Sequence, residues 1–330
     1  MSSKNRIIRY DQAIREATAQ LMSVDKNVFV IGQGVRSPWY VGSTTKGLID
    51  KFGYRRVIDT PVSENAILGL GIGAALVGMK PIVIYPRMDF IMYAMEQIVD
   101  ELNNIHYMYG GSASAPVIIR SIINRGGQQA AQHSQALHSI FAHLPGIKVV
   151  MPSNAYDAKG LLIAAAKDNN PIMYIDDRWL YKTTDIVPQE MYTIPIGKAN
   201  IPKKGKDVTV VAISYLVPEA ILAAEKLATK GISVEVIDPR TIKPLDINTI
   251  INSVKKTGRL IIADPGWKDF GVASEIAAQV SEKILKFLKA PIKRLALPNT
   301  PAPMSQLLEN KYYPKSKDII KLAVNIMKGR

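Results

Sequence analysis

The chain has 330 residues, 47% of them apolar and 21% charged, an ordinary globular composition that leaves room for two cored domains and excludes a disordered or fibrous protein. No cysteine occurs, which excludes a disulfide framework, a thiolate metal site, an iron–sulfur cluster and a cysteine nucleophile. Lysine and arginine outnumber acids by 42 to 28, giving +14, but apart from a small cluster at Lys203, Lys204 and Lys206 the basic residues are scattered, so an anionic ligand or an acidic partner is expected rather than nucleic acid.

The first twelve residues, MSSKNRIIRYDQ, carry positive charge without an apolar core or a small-residue cleavage site, so no secretory signal is read and a cytoplasmic location is expected. A helix is predicted from Tyr10 to Met22, with Ile14, Ala17 and Leu21 on one face, followed by a buried strand from Asn27 to Gly32. The alternation continues with a strand at Arg56 to Asp59, a helix from Glu64 to Val77, a strand at Pro81 to Tyr85, a helix from Phe90 to Ile105 and a strand at Pro116 to Ser121. A glycine- and glutamine-rich loop precedes a strand at Lys148 to Met151, a helix from Ala155 to Lys167 and a strand at Ile172 to Asp176. Strands alternating with helices predict a parallel sheet covered on both faces. The longest apolar stretch, Ala66 to Met79, is half glycine and alanine, too short and small-sided for a membrane span.

From Lys182 to Lys206 the apolar periodicity lapses, and Pro188, Pro195 and Pro202 give the stretch the composition of a linker. The expected division is a first domain over 1–190, a linker over 191–206 and a second domain over 207–330. The second is again read as doubly wound: strands at Val208 to Ser214, Ser233 to Asp238, Arg259 to Ala263 and Ile292 to Ala296, with helices from Pro218 to Lys230, Asp246 to Lys256 and Val272 to Leu288.

Three features invite chemistry. Gly69, Gly71 and Gly73 with Ala74 imitate a dinucleotide fingerprint, with Asp89 about 20 residues further on. Polar DTPVSEN, not a buried strand, precedes these glycines, so close packing inside a small-residue helix is the expected role. Glu64 is a lone carboxylate at the head of that helix, where partial burial would favour its protonated form; an acid placed on the helix dipole is the plainer alternative. His133 lies in NRGGQQAAQHSQALHSIFAHLPG with His138 and His143; five-residue spacings scatter side chains around a helix, so no histidine metal site is expected, and for His138 and His143 an ordinary surface or interface role is read.

RRVIDTPVSENAILGLGIGAAL, AAQHSQALHSIFAHLPGIKVVMPS, VIDPRTIKPLD and IADPGWKDFGVASEIA occur here in the order and spacing of a known family. From about Asn5 to PNTPAPMSQLLENKYYP, the chain resembles the beta subunit of thiamine-diphosphate-dependent 2-oxo acid dehydrogenases, which are transketolase-like. The resemblance implies two doubly wound α/β domains: a pyrimidine-binding domain, then the transketolase C-terminal domain. It implies that Glu64 hydrogen-bonds the pyrimidine nitrogen of thiamine diphosphate and thereby promotes loss of the thiazolium proton, that Phe90 stacks on the pyrimidine, that Val62 touches the cofactor, and that His133 is the active-site histidine. From spacing alone, a core aromatic remains an equal reading of Phe90.

The resemblance also implies a potassium ion on the backbone carbonyls of Val117, Ala165, Asp168 and Asn170. The chain lacks a GDG followed about 30 residues later by Asn-Asn, the pattern that binds magnesium and the diphosphate. The resemblance therefore implies an alpha subunit that supplies those ligands, two alpha and two beta chains per assembly, and an acyl group passed to a lipoyl acyltransferase. Three segments depart from the usual wording: VRSPWYVGSTTKGL, IINRGG and IDDRWLYKTTD; they leave the substrate open and are where any remodelling of the active-site entrance is expected. Carbon–carbon bond formation in specialised biosynthesis, for example of an unusual sugar, and a non-catalytic interaction protein remain open as alternatives.

Overall fold

The computed structural model describes residues 6–37 and 41–329. Among these residues a seven-stranded sheet runs, edge to edge, Thr241–Lys243, Lys148–Val150, Ile172–Asp177, Ile118–Ile123, Lys80–Tyr85, Val28–Gly32, Val57–Asp59. All neighbours are parallel except the first pair. The central strands are buried along their whole length, as fits near-continuous Val and Ile runs covered by helices on both faces. A second sheet has the order Lys293–Leu297, Leu260–Trp267, Val208–Ala212, Val234–Asp238, Asn200–Lys203, with only the last pair antiparallel.

Two short strands lie in the stretch whose periodicity lapses. Thr184–Val187 pairs with Arg6–Arg9 in a separate antiparallel ribbon, and Asn200–Lys203 closes the second sheet. Four residues are too few for a visible alternation, and Pro202 is tolerated because Asn200–Lys203 is an edge strand. Thr241–Lys243, equally short, leaves the second half of the chain to close the edge of the first sheet against Lys148–Val150.

The helix predicted over Phe90 to Ile105 is instead irregular: a 3-10 turn at Met88–Ala94, a π-helical turn at Gln97–Leu102 and an α-helical turn at Ile105–Met108. The buried residues explain it. Met88, Ile91 and Ala94 recur every three residues, as a tight helix needs, whereas Ala94, Ile98 and Leu102 recur every four. The glycine helix is Glu64–Leu76, and of its three glycines only Gly71 is closely packed: a Cβ there would lie 2.8 Å from Val83 Cγ2. Gly69 and Gly73 meet nothing, because their spacing of four places them on the uncovered face together with exposed Leu70. Helices Gln306–Tyr312 and Ser316–Met327, beyond the last element read from the sequence, complete the chain. Among the described residues no helix is long and apolar enough to cross a membrane.

Where Thr241–Lys243 crosses between the sheets, the turn is held by charge. Arg240 donates through Nε and Nη2 to the two carboxylate oxygens of buried Asp157, at 2.8 and 2.7 Å, while Asp238 accepts from Ser153 Oγ and from its own turn at Arg240 N. Burial and the neighbouring Asp157 push the Asp238 carboxyl up to about 7, against the pull of Ser153 and Arg240. A carboxyl whose folded value exceeds its unfolded value near 4 stabilises most when protonated, so its contribution is lost as pH rises from about 4 to about 7. Asp238→Asn cannot ionise. Its melting temperature is expected to gain on the parent's between pH 5 and pH 8, and parallel pH–stability curves for the two proteins would contradict the assignment.

Candidate active site

In the first sheet the chain passes from Val28–Gly32 to the edge strand Val57–Asp59 and then returns to Lys80–Tyr85 on the other side of Val28–Gly32. Such a reversal opens a crevice beyond the carboxyl ends of parallel strands, the usual ligand position in doubly wound sheets. Each resemblance-derived residue except those of the potassium set follows one of these carboxyl ends. Val62 and Glu64 follow Val57–Asp59, Phe90 follows Lys80–Tyr85, and His133 lies on the loop after Ile118–Ile123.

Glu64 opens its helix and is half-buried. Its backbone carbonyl accepts the Tyr85 hydroxyl at 2.7 Å, which fixes the helix start to the end of a central strand. Burial, with the charge of Glu64 adding to it, pushes the Tyr85 hydroxyl well up, so it stays a donor. Val62, 66% exposed, stands on the approach to the helix.

Phe90 and His133 meet directly. Their ring centroids lie 5.4 Å apart with planes at 88°, an edge-to-face pair, and both side chains are half-buried, leaving surface for a ligand. Beside them Asp89, which the sequence offers as a ribose-binding acid, turns inward: it is 7% exposed, and its Oδ1 accepts the Gln135 backbone N–H at 3.2 Å. Its other carboxylate oxygen is buried without a hydrogen-bond partner among the described residues. Burial pushes the Asp89 carboxyl up, with Gln135 and then His133 opposing. Leu137 N–H donates to Met88 Sδ at 3.3 Å, so the far end of the His133 loop is pinned to the turn that carries Phe90.

His138 is enclosed at the domain interface, its Nε2 2.9 Å from Asp264 Oδ1. Burial raises the Asp264 carboxyl, but His138 together with the Gly266 and Ala273 N–H groups outweighs it and leaves it below the usual range. His143 is exposed on the wall of a cleft of about 890 Å³ between the domains, shared with Lys243, Asp269 and Glu275.

The potassium set lies at the opposite, amino-terminal ends of the strands. The Val117 carbonyl accepts Ile172 N–H at 3.0 Å and that of Ala165 accepts Asp168 N–H at 3.2 Å, so each keeps one lone pair. The Asp168 carboxylate is engaged by Lys148 Nζ and by Asn170, through backbone N–H at 2.9 Å and Nδ2 at 2.8 Å.

Of the three departing segments, Pro38–Tyr40 within VRSPWYVGSTTKGL fall outside the described residues. The rest contributes buried ion pairs and hydrogen bonds, with Arg36, Lys46, Gly127, Lys182 and Thr183 exposed beside them. Arg120 donates to both oxygens of Asp176, at 3.0 and 2.8 Å, and to Thr44 Oγ1 at 2.7 Å; Arg125 pairs with Asp177 at 2.9 Å; Tyr181 packs beneath Gly42. Asp177 sits high because of burial, with Arg125 opposing. Sequence reasoning missed Tyr85, Arg125 and Gln135, and set Asp89 aside with the superficial dinucleotide match, since each acts through a backbone group or a partner distant in the chain.

The switch point of the sheet is thus followed by a carboxylate at Glu64 and by the paired rings of Phe90 and His133. The family model described as "Transketolase, pyrimidine binding domain" matches residues 7–183, and "Transketolase, C-terminal domain" matches 197–319. The chain is 40% identical to the acetoin:2,6-dichlorophenolindophenol oxidoreductase subunit beta of Bacillus subtilis (strain 168), covering 98% of each chain. It is 42% identical to the 2-oxoisovalerate dehydrogenase subunit beta of the same organism, over 96% of this chain and 98% of the other, and 41% identical to the pyruvate dehydrogenase E1 component subunit beta of Rhizobium meliloti (strain 1021), over 94% and 67%. Among solved structures, a split-gene transketolase described as an inactive beta4 tetramer superposes with a TM-score of 0.79 over 98% of this chain and 99% of that one, at 22% identity, a likeness of fold. The chain belongs to the beta subunits of the 2-oxo acid dehydrogenases, within the transketolase-like family. Membership implies thiamine diphosphate as cofactor and an alpha subunit as partner. The residues present fit the pyrimidine half of that cofactor in kind: a half-buried carboxyl group able to share a proton with a ring nitrogen, and a half-buried aromatic ring paired with an imidazole.

Proposed function

We propose that this chain forms the pyrimidine side of the active site of a cytoplasmic 2-oxo acid dehydrogenase, completed by an alpha subunit that brings the magnesium and diphosphate ligands, in an assembly of two alpha and two beta chains. The edge-to-face pair of Phe90 and His133, held beside buried Asp89 at the crevice that Glu64 borders, carries this reading. Residues 1–190 hold the cofactor and 207–330 brace them, with 191–206 between. A chain of charge +14 suits a more acidic partner.

When bound, thiamine diphosphate would supply the carbon nucleophile and electron sink for decarboxylation of a 2-oxo acid. Glu64 holds the pyrimidine nitrogen and shares a proton with it, Phe90 supports the ring face, and Val62 covers the ring edge. His133, in its protonated form, orients the substrate carboxylate; later it gives its proton to the sulfur released when a lipoyl disulfide accepts the acyl group on its other sulfur. The acceptor is then a lipoyl acyltransferase. Potassium on the carbonyls of Val117, Ala165, Asp168 and Asn170 would brace the strand starts, far from the proton transfers. Lys148 already neutralises the Asp168 carboxylate, so carbonyl dipoles alone would hold the ion.

The test is His133→Ala in the assembled alpha–beta complex, assayed with an artificial oxidant and with a lipoyl acceptor. The lipoyl-linked rate is expected to fall about 10-fold or more while the oxidant-linked rate falls less. Equal losses with both acceptors would place His133 at or before decarboxylation, and no loss with either would remove it from the chemistry.

A further inference from the structure

The loop that carries His133 is fastened to the second domain as well as to the first. At its start Arg125 is fully buried, pairs with Asp177 at 2.9 Å and donates through Nη1 to the Pro265 carbonyl at 3.2 Å. At its end His138 meets Asp264. Between these anchors the backbone is costly: Gly126 and Gly127 have φ of +82° and +66°, and Gln128 and Ala130, which are not glycines, have +63° and +57°. A Cβ at Gly126 would lie 2.4 Å from Trp179 Nε1, so this turn has no alternative path across its support. Left-handed backbone at a non-glycine residue persists only where surrounding contacts over-determine it.

At Gln128 one such contact comes from far along the chain. Its backbone N–H donates to Oε2 of Glu309 at 3.2 Å. Glu309 lies in the helix Gln306–Tyr312, is 6% exposed, and its Oε1 has no hydrogen-bond partner among the described residues. A buried carboxylate with a single loop amide as its side-chain hydrogen-bond partner is costly as a structural device, since a core position would be filled more cheaply by an apolar residue.

We infer that Glu309 is a positioning residue for His133: by holding the Gln128 amide it fixes the left-handed turn that aims the imidazole at the Phe90 ring. The second domain thereby sets the geometry of a group carried by the first. This rests on the proposed role of His133, and the experiment separates the two.

In the alpha–beta complex, Glu309→Ala is expected to lower the lipoyl-linked rate about 10-fold while the oxidant-linked rate changes less, the same signature as His133→Ala. Glu309→Gln keeps an oxygen acceptor and is expected to recover most of the rate. In the His133→Ala background, Glu309→Ala is expected to add nothing, because the two act as one unit. Full additivity in that double variant, or equal loss with both acceptors, would overturn the proposal. Hydrogen exchange at the Gln128 amide is read independently of turnover: faster exchange in Glu309→Ala with a silent His133→Ala would sink only the role of His133, and unchanged exchange would sink the positioning contact itself.

Discussion

Glu64→Gln is expected to lower decarboxylation by about 100-fold or more in an alpha–beta complex that still assembles. The side chain is half-buried in the first turn of its helix, and the anchor of that turn is a backbone contact, from the Tyr85 hydroxyl to the Glu64 carbonyl. An amide at position 64 leaves that anchor intact and keeps nearly the same volume, so folding and subunit assembly should survive. What it cannot do is exchange a proton with a ring nitrogen. The loss should therefore appear in hydrogen–deuterium exchange at the thiazolium carbon, measured on the complex with cofactor alone. Normal exchange in the variant would separate Glu64 from proton transfer and leave the acid on the helix dipole as its role.

Turnover by this chain without its alpha subunit is expected to be below detection, and its binding of thiamine diphosphate weak and insensitive to magnesium. On the proposed reading the carboxylate, ring and imidazole would contact the uncharged half of the cofactor, while the sequence contains no GDG followed about 30 residues later by Asn-Asn for the metal and diphosphate. Charge-assisted contacts to a diphosphate are the stronger ones, so losing them removes most of the affinity. Calorimetry on the isolated chain checks this, and tight magnesium-dependent binding would refute it. Adding the alpha chain should restore both affinity and rate.

Much of this was legible in the sequence where the signal is local. Parallel strands such as Val28–Gly32 are continuous apolar runs, and helices such as Tyr10–Val24 and Leu216–Ala228 keep one apolar face, so the α/β class and most element positions follow from periodicity. The irregular segment from Met88 to Met108 was not legible, since a change of buried spacing from three to four mimics one amphipathic helix. Nor were the strands Asn200–Lys203 and Thr241–Lys243, which exist only because a distant edge needed a partner. The site divides the same way. Glu64 stands out as a lone acid before an apolar helix, whereas the bonds that aim His133 run from Gln135 to Asp89 and from Gln128 to Glu309, across 46 and 181 residues, and have no local pattern.

The crossing strand Thr241–Lys243 also bears on how the chain is made. The first sheet cannot acquire its last strand until the ribosome has passed residue 243, well into the second half of the chain. Until then Lys148–Val150 is a nascent sheet margin with open amides and carbonyls, the kind of margin on which another chain can polymerise. The second half of this protein thus caps the margin of the first through its own strand.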